Sequence, residues 1–160
     1  LVSGIGIGAC LLLQFPFRIP NTEVDLSPWN HWGRPSMFEE IAPEQGPVLV
    51  TVRYVIDPAK AEEFLKEIYK YERVRRRDGA TRWGIFYDTE APNVYLETFV
   101  VDSWAEHERQ HDRFTAADHE VEKRVVSYAL EPIKVKHYVH AKGAAANRAT
   151  PAGDRSPMRP

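Results

Sequence analysis

Residues 48 to 140 carry two hydrophobic periods, and the switches between them outline a fold. "VLVTVRYVI" (48–56) alternates apolar and polar positions and is rich in β-branched residues, which predicts a strand. Asp57-Pro58 follows as a helix start, with Asp57 as N-cap and Pro58 at the first helical position. Ala61, Phe64, Leu65, Ile68 and Tyr71 or Glu72 then recur at helical spacing, and Gly79 closes this amphipathic helix in a left-handed cap. "TRWGIFYD" (81–88) and "NVYLETFVV" (93–101) flank "TEAP" and predict a hairpin. A second helical region starts at Asp102 or Ser103 as cap, breaks near Phe114 and runs to about Tyr128. "IKVKHYVH" (133–140) returns to alternation as a last strand. The order β-α-β-β-α-β over residues 47–140 predicts an α+β, ferredoxin-like unit with its helices on one face of an antiparallel sheet.

The flanks lack both periods. "LVSGIGIGACLLLQFPFRIP" is mostly apolar up to its first charge at Arg18, with Gly4, Gly6 and Gly8 at alternate positions. Its uncharged run is shorter than the roughly 20 residues that span a bilayer, so residues 1–19 read as the end of a transmembrane helix. Close glycines suit helix packing in lipid, and Arg18 sits where a chain would emerge on the cytoplasmic side. Signal-peptide and dinucleotide-binding readings fit less well. The stretch has no basic start, and Gly4, Gly6 and Ala9 match the loose G-x-G-x-x-A pattern with no strand before them. Residues 20–46 read as a proline-rich linker, in which Trp29, His31 and Trp32 dock on the folded unit or rest at a membrane interface. Residues 141–160 are small and polar and read as a disordered tail.

At 160 residues and a formal charge of −2, the chain has room for one moderate core and shows no basic excess pointing to nucleic acid. Its single cysteine, Cys10, excludes an internal disulfide framework and fits a folded part in the cytoplasm.

Two stretches invite chemistry. His107-Glu108-Arg109-Gln110-His111 matches H-E-x-x-H, in which two histidines one turn apart bind zinc and the glutamate activates water. The third ligand of the extended motif is missing, with Phe114 at the glycine and Ala117 at the histidine position. Zinc proteolysis is therefore the weakest reading, and Glu108 is more simply an exposed helix residue. The basic run Arg73, Arg75, Arg76 and Arg77 falls at the end of the first helix, where the helix dipole stabilises cations. Beneath a bilayer it would also meet anionic headgroups.

"GPVLVTVRYVIDPAKAEEFL", "VRRRDGATRWGIFYD" and "ETFVVDSWAEHERQHDRFTAAD" resemble the cytoplasmic C-terminal domain of major facilitator superfamily exporters of the transmembrane secretion effector type, which include enterobactin-exporter-like proteins. "VDLSPWNHWGRP" resembles the segment that joins their last membrane helix to that domain. The domain is in turn similar to the antibiotic-biosynthesis monooxygenase family, ferredoxin-like proteins that pair through their sheets. That resemblance implies a homodimer and membrane attachment, with Glu97 at the family's strand carboxylate and His111 at its helix histidine. Some relatives oxidise polycyclic aromatics without a cofactor, and others degrade haem through an Asn, a Trp and a His. Trp83 and His111 suit the last two roles, but the first strand offers no asparagine. No cofactor is therefore expected.

Tyr54, Trp83, Phe86 and Tyr95 supply flat apolar surface for a small aromatic ligand, and Glu97, His107 and His111 supply polar contacts. Three functions remain: a pairing or ligand-sensing domain of an exporter, a small monooxygenase, or a purely structural dimerisation module. The apolar start favours the first.

Overall fold

In a computed structural model that describes residues 23–29 and 40–141, the ferredoxin-like order holds. Strand β1 (Val48–Val55) leads to a 3-10 turn (Pro58–Lys60) and helix α1 (Ala61–Arg77). The hairpin β2 (Arg82–Tyr87) and β3 (Val94–Val101) follows, then helices α2 (Trp104–Arg113) and α3 (Ala116–Val126), and strand β4 (Lys134–Val139). The sheet order is β2-β3-β1-β4, antiparallel throughout. The expected membrane helix end at 1–19, His31 and Trp32, and all but the first residue of the tail lie outside the described residues. Among those described, no helix is long and apolar enough to cross a membrane.

Local chemistry accounts for the breaks. The Asp57 side chain accepts from the Ala59 amide and caps the 3-10 turn, so the α-helix proper begins three residues later than Asp57-Pro58 alone implies. Ser103 caps α2 through the Glu106 amide. Phe114 has extended backbone and ends α2, and Thr115 starts α3 in a reciprocal capping box with Asp118. Gly79 follows α1 at φ 112°, and a Cβ there would lie 2.7 Å from the Glu106 carboxylate. Gly79→Ala is accordingly expected to destabilise the fold by about 1–2 kcal/mol, measured as a lowered urea midpoint.

Register assigns the sheet faces. Val48, Val50, Val52 and Tyr54 of β1 stand opposite Val101, Phe99, Glu97 and Tyr95 of β3, and Val50 and Val52 stand opposite His137 and Val135 of β4. This face packs under the helices, and the core it builds includes Phe64, Ile68 and Tyr71 of α1, Trp104 of α2 and Val125 of α3. The residues between them, Leu49, Thr51 and Arg53 on β1 with Leu96, Thr98 and Val100 on β3, form the other face, which no described element covers.

Candidate functional site

One carboxylate lies at the middle of the helix-covered face. Glu97 is fully buried on β3, between Ile85 of β2 and Val52 of β1. Its Oε1 accepts from Arg75 Nε and from the Trp83 indole Nε1, both at 3.0 Å. Its Oε2 accepts from the Tyr54 hydroxyl at 3.0 Å and from Arg75 Nη2 at 3.5 Å. The Arg75 guanidinium lies between two aromatic rings, 4.4 Å from the centroid of Tyr71 and 4.4 Å from that of Phe99. Burial works against the Arg75 charge, but the Glu97 carboxylate, with smaller contributions from Tyr71 and Tyr54, offsets it and holds the pKa above the usual arginine value. Burial likewise pushes the Tyr54 hydroxyl well up, with the negative Glu97 adding to it. The hydroxyl is therefore a fixed donor at neutral pH.

Beside this centre is a layer of imidazoles. His107 of α2 is buried, and neither ring nitrogen makes a hydrogen bond of good geometry, although the Gln110 side chain lies close enough to favour the charged form in part. Its ring centroid lies 4.9 Å from that of His111, one turn on, 4.7 Å from that of His137 on β4 and 5.2 Å from the Trp104 ring. Burial first, then the charges that His137 and His111 would carry, lower the His107 pKa to about 4. His111 is lowered by burial, Arg75 and His137, against Asp112 and Glu108, and His137 is lowered by burial. All three imidazoles are thus biased towards the neutral form. Among the described residues, no three His, Cys, Asp or Glu side chains are arranged to hold a metal ion. Glu108, the would-be general base of the H-E-x-x-H match, is exposed to solvent.

The fold therefore brings Tyr54, Trp83 and Glu97 into one hydrogen-bonded group and sets His107 and His111 in the adjoining layer. Phe86 joins neither. A strand turns successive side chains to opposite faces, so Phe86, three positions after Trp83, lies on the open face with 58% of its surface exposed. There its ring lies back over Gly84, whose missing Cβ would meet it at 2.9 Å.

The sequence reading missed two members of the site. The basic run as a whole reads as dipole and headgroup residues, yet Arg75 points inward to Glu97. Positions 64, 68, 71 and 75 share one helical stripe, and that spacing was the available signal. The other three arginines of the run stay outward: Arg76 pairs with Glu72 at 2.7 Å, Arg77 reaches Asp118 at 2.7 Å, and Arg73 is exposed. His137 is the second, and its signal is its place on the inward positions of the alternation Val135, His137, Val139.

Residues 1–145, which carry every element described above, match the family of transmembrane secretion effectors. The chain belongs to that family. No curated protein matches this transmembrane secretion effector. Solved structures share its fold at low identity. A candidate antibiotic biosynthesis monooxygenase from Caulobacter crescentus CB15 is similar at a TM-score of 0.53 and 15% identity, over 61% of this chain and 92% of the other. One from Bordetella bronchiseptica is similar at 0.52 and 21%, over 59% and 96%. A conserved protein from Methanosarcina mazei Go1 is similar at 0.51 and 14%, over 59% and 93%. Identities this low establish the fold and leave activity to be argued from the side chains.

Proposed function

We propose that this chain contributes the cytoplasmic, C-terminal, non-catalytic domain of a major facilitator superfamily small-molecule exporter in the inner or plasma membrane, serving pairing or ligand sensing. The observation that carries this reading is the saturation of Glu97. A carboxylate that acts as base or nucleophile needs a free lone pair facing its substrate. Both Glu97 oxygens are instead taken by Arg75, Trp83 and Tyr54, and the guanidinium sits between two rings where an aromatic ligand would stack. The buried group of a monooxygenase-like fold is thereby used to hold the domain together. Family membership and the apolar N-terminal stretch support attachment to a transporter.

Pairing takes the open sheet face, with a second copy of the chain as partner. Phe86, Leu96 and Tyr138 are exposed on it, and a cavity of about 510 Å³ opens at its edge between Leu49, Arg82, Val100 and Tyr138. Exposed aromatic and aliphatic side chains on an otherwise ordered face mark association. Sedimentation of the 160-residue chain over a wide concentration range should give a dimer, and Phe86→Glu should raise its dissociation constant by about tenfold or more. A wild-type monomer at every concentration would reject the pairing role. Oxygen-dependent turnover of a polycyclic phenol, lost in Glu97→Gln, would instead reject the non-catalytic reading and favour the monooxygenase.

A further inference from the structure

The linker does more than connect. An α-helix leaves its first amides without partners inside the helix, and in α2 and α3 the linker supplies the missing acceptors in the same way twice. In α2 the Trp104 amide donates to the Gln45 carbonyl and the Ala105 amide to the Pro43 carbonyl, both at 2.8 Å. In α3 the Ala116 amide donates to the Ser27 carbonyl and the Ala117 amide to the Asp25 carbonyl, both at 3.0 Å. Each time, two carbonyls two residues apart take the first and second amides of the helix. The N-cap side chain, Ser103 or Thr115, takes the third.

Side chains hold both contacts in place. The Trp29 ring stacks on His119 with centroids 4.3 Å apart and planes 11° from parallel, and the Trp29 amide donates to the Phe114 carbonyl at 2.8 Å. Gly46 passes so close to the start of α2 that a Cβ would lie 2.2 Å from the Asp102 carbonyl oxygen. That approach is open only to glycine.

We infer that residues 23–29 and 40–46 form a two-point latch: docked, they complete the first turns of α2 and α3, and undocked, they leave those turns frayed. The consequence reaches the buried groups. α2 carries His107 and His111, and α3 carries Asp118, which Arg77 grips at 2.7 Å and 3.1 Å from the end of α1 that also bears Arg75. A displacement of the segment entering the domain is therefore delivered to the helices that cover Glu97. The regulatory meaning rests on the exporter reading, in which that segment is what a moving membrane part would pull. The latch itself is a property of the chain alone.

Amide hydrogen exchange of the full chain by NMR tests it without membrane or substrate, so its failure and that of the exporter reading are separable. Trp29→Ala should speed exchange at Ala116 and Ala117 by about tenfold or more while the β1 amides keep their protection. Gly46→Ala should do the same at Trp104 and Ala105. In both variants the indole N–H resonance of Trp83, which reports the Glu97 group, should move. Trp29→Phe, which keeps a ring over His119, should restore slow exchange at Ala116 and Ala117. Unchanged exchange at all four amides, with the sheet intact, would overturn the latch. An unmoved Trp83 resonance would overturn its reach to the buried site.

Discussion

Arg75→Ala is expected to lower the stability of the domain by about 3–5 kcal/mol, the cost of leaving a buried carboxylate without its partner. Glu97 has no exposed surface, and the variant leaves it with only the Trp83 indole and the Tyr54 hydroxyl. The rings of Tyr71 and Phe99, each 4.4 Å from the guanidinium, would also face a void. Lysine would not substitute, because a single ammonium cannot present the fork that meets both carboxylate oxygens. The double variant Arg75→Met, Glu97→Leu should recover only part of the loss, since an apolar pair carries no desolvation cost but leaves the Tyr54 hydroxyl and the Trp83 indole N–H without their acceptor. Urea unfolding of the wild type, Arg75→Met, Glu97→Leu and the double variant closes this cycle. A loss below about 1 kcal/mol for Arg75→Ala, the range of exposed ion pairs, would mean that water reaches Glu97 and that the carboxylate is available for chemistry after all.

Acidification from pH 6.5 to about 4 is expected to destabilise the domain by up to roughly 3 kcal/mol through His107. The sign follows from the shift: folding lowers the His107 pKa to about 4, so below 6.5 the unfolded chain takes up a proton that the folded chain refuses. Stability is therefore intact above pH 6.5, declines as pH falls, and levels off near the folded pKa. Of the groups facing this imidazole, His111 on α2, His137 on β4 and Arg75 on α1 disfavour a charge there, while the Gln110 side chain works in the opposite direction and is outweighed. His111 and His137 are lowered too and extend the loss over the same direction of pH. Asp118, whose carboxyl is held below its usual value of 3.8 by Arg77 and Thr115 against the effect of burial, loses its contribution at lower pH than His107 does. His107→Phe should flatten stability between pH 6.5 and 4, measured by chemical denaturation at stepped pH. An unchanged slope in that variant would remove His107 as its source.

How much of this was legible in the sequence differs by level. Periods of two and 3.6 set the element order and the break near Phe114, and the structure gives that break its cause in the capping box of Thr115 and Asp118. The family resemblance implies Glu97 and aromatic character suggests Trp83, while the face they share follows from the register of β2 on β3 together with strand parity. The same parity separates Phe86 from Trp83, so aromatic character alone misassigned it. Arg75 was hidden by its neighbours: in a run of arginines a helix end explains all of them equally, and only the stripe from Phe64 through Tyr71 separates one from the rest. The linker was the least legible part. Its contacts are made by backbone carbonyls, which every residue carries, and only Trp29 and Gly46 leave a trace in side-chain identity.

Gly84 gives the open face a property that its composition does not convey. Because no side chain rises from that position, the Phe86 ring folds down over the backbone and is already confined, although more than half of its surface meets solvent. Immobilising a free side chain at an interface costs about 0.5–1.5 kcal/mol, and a ring lying flat has part of that freedom removed in advance. Under the pairing proposed for this face, the glycine acts on association through entropy, by fixing the shape of the surface before the second copy arrives.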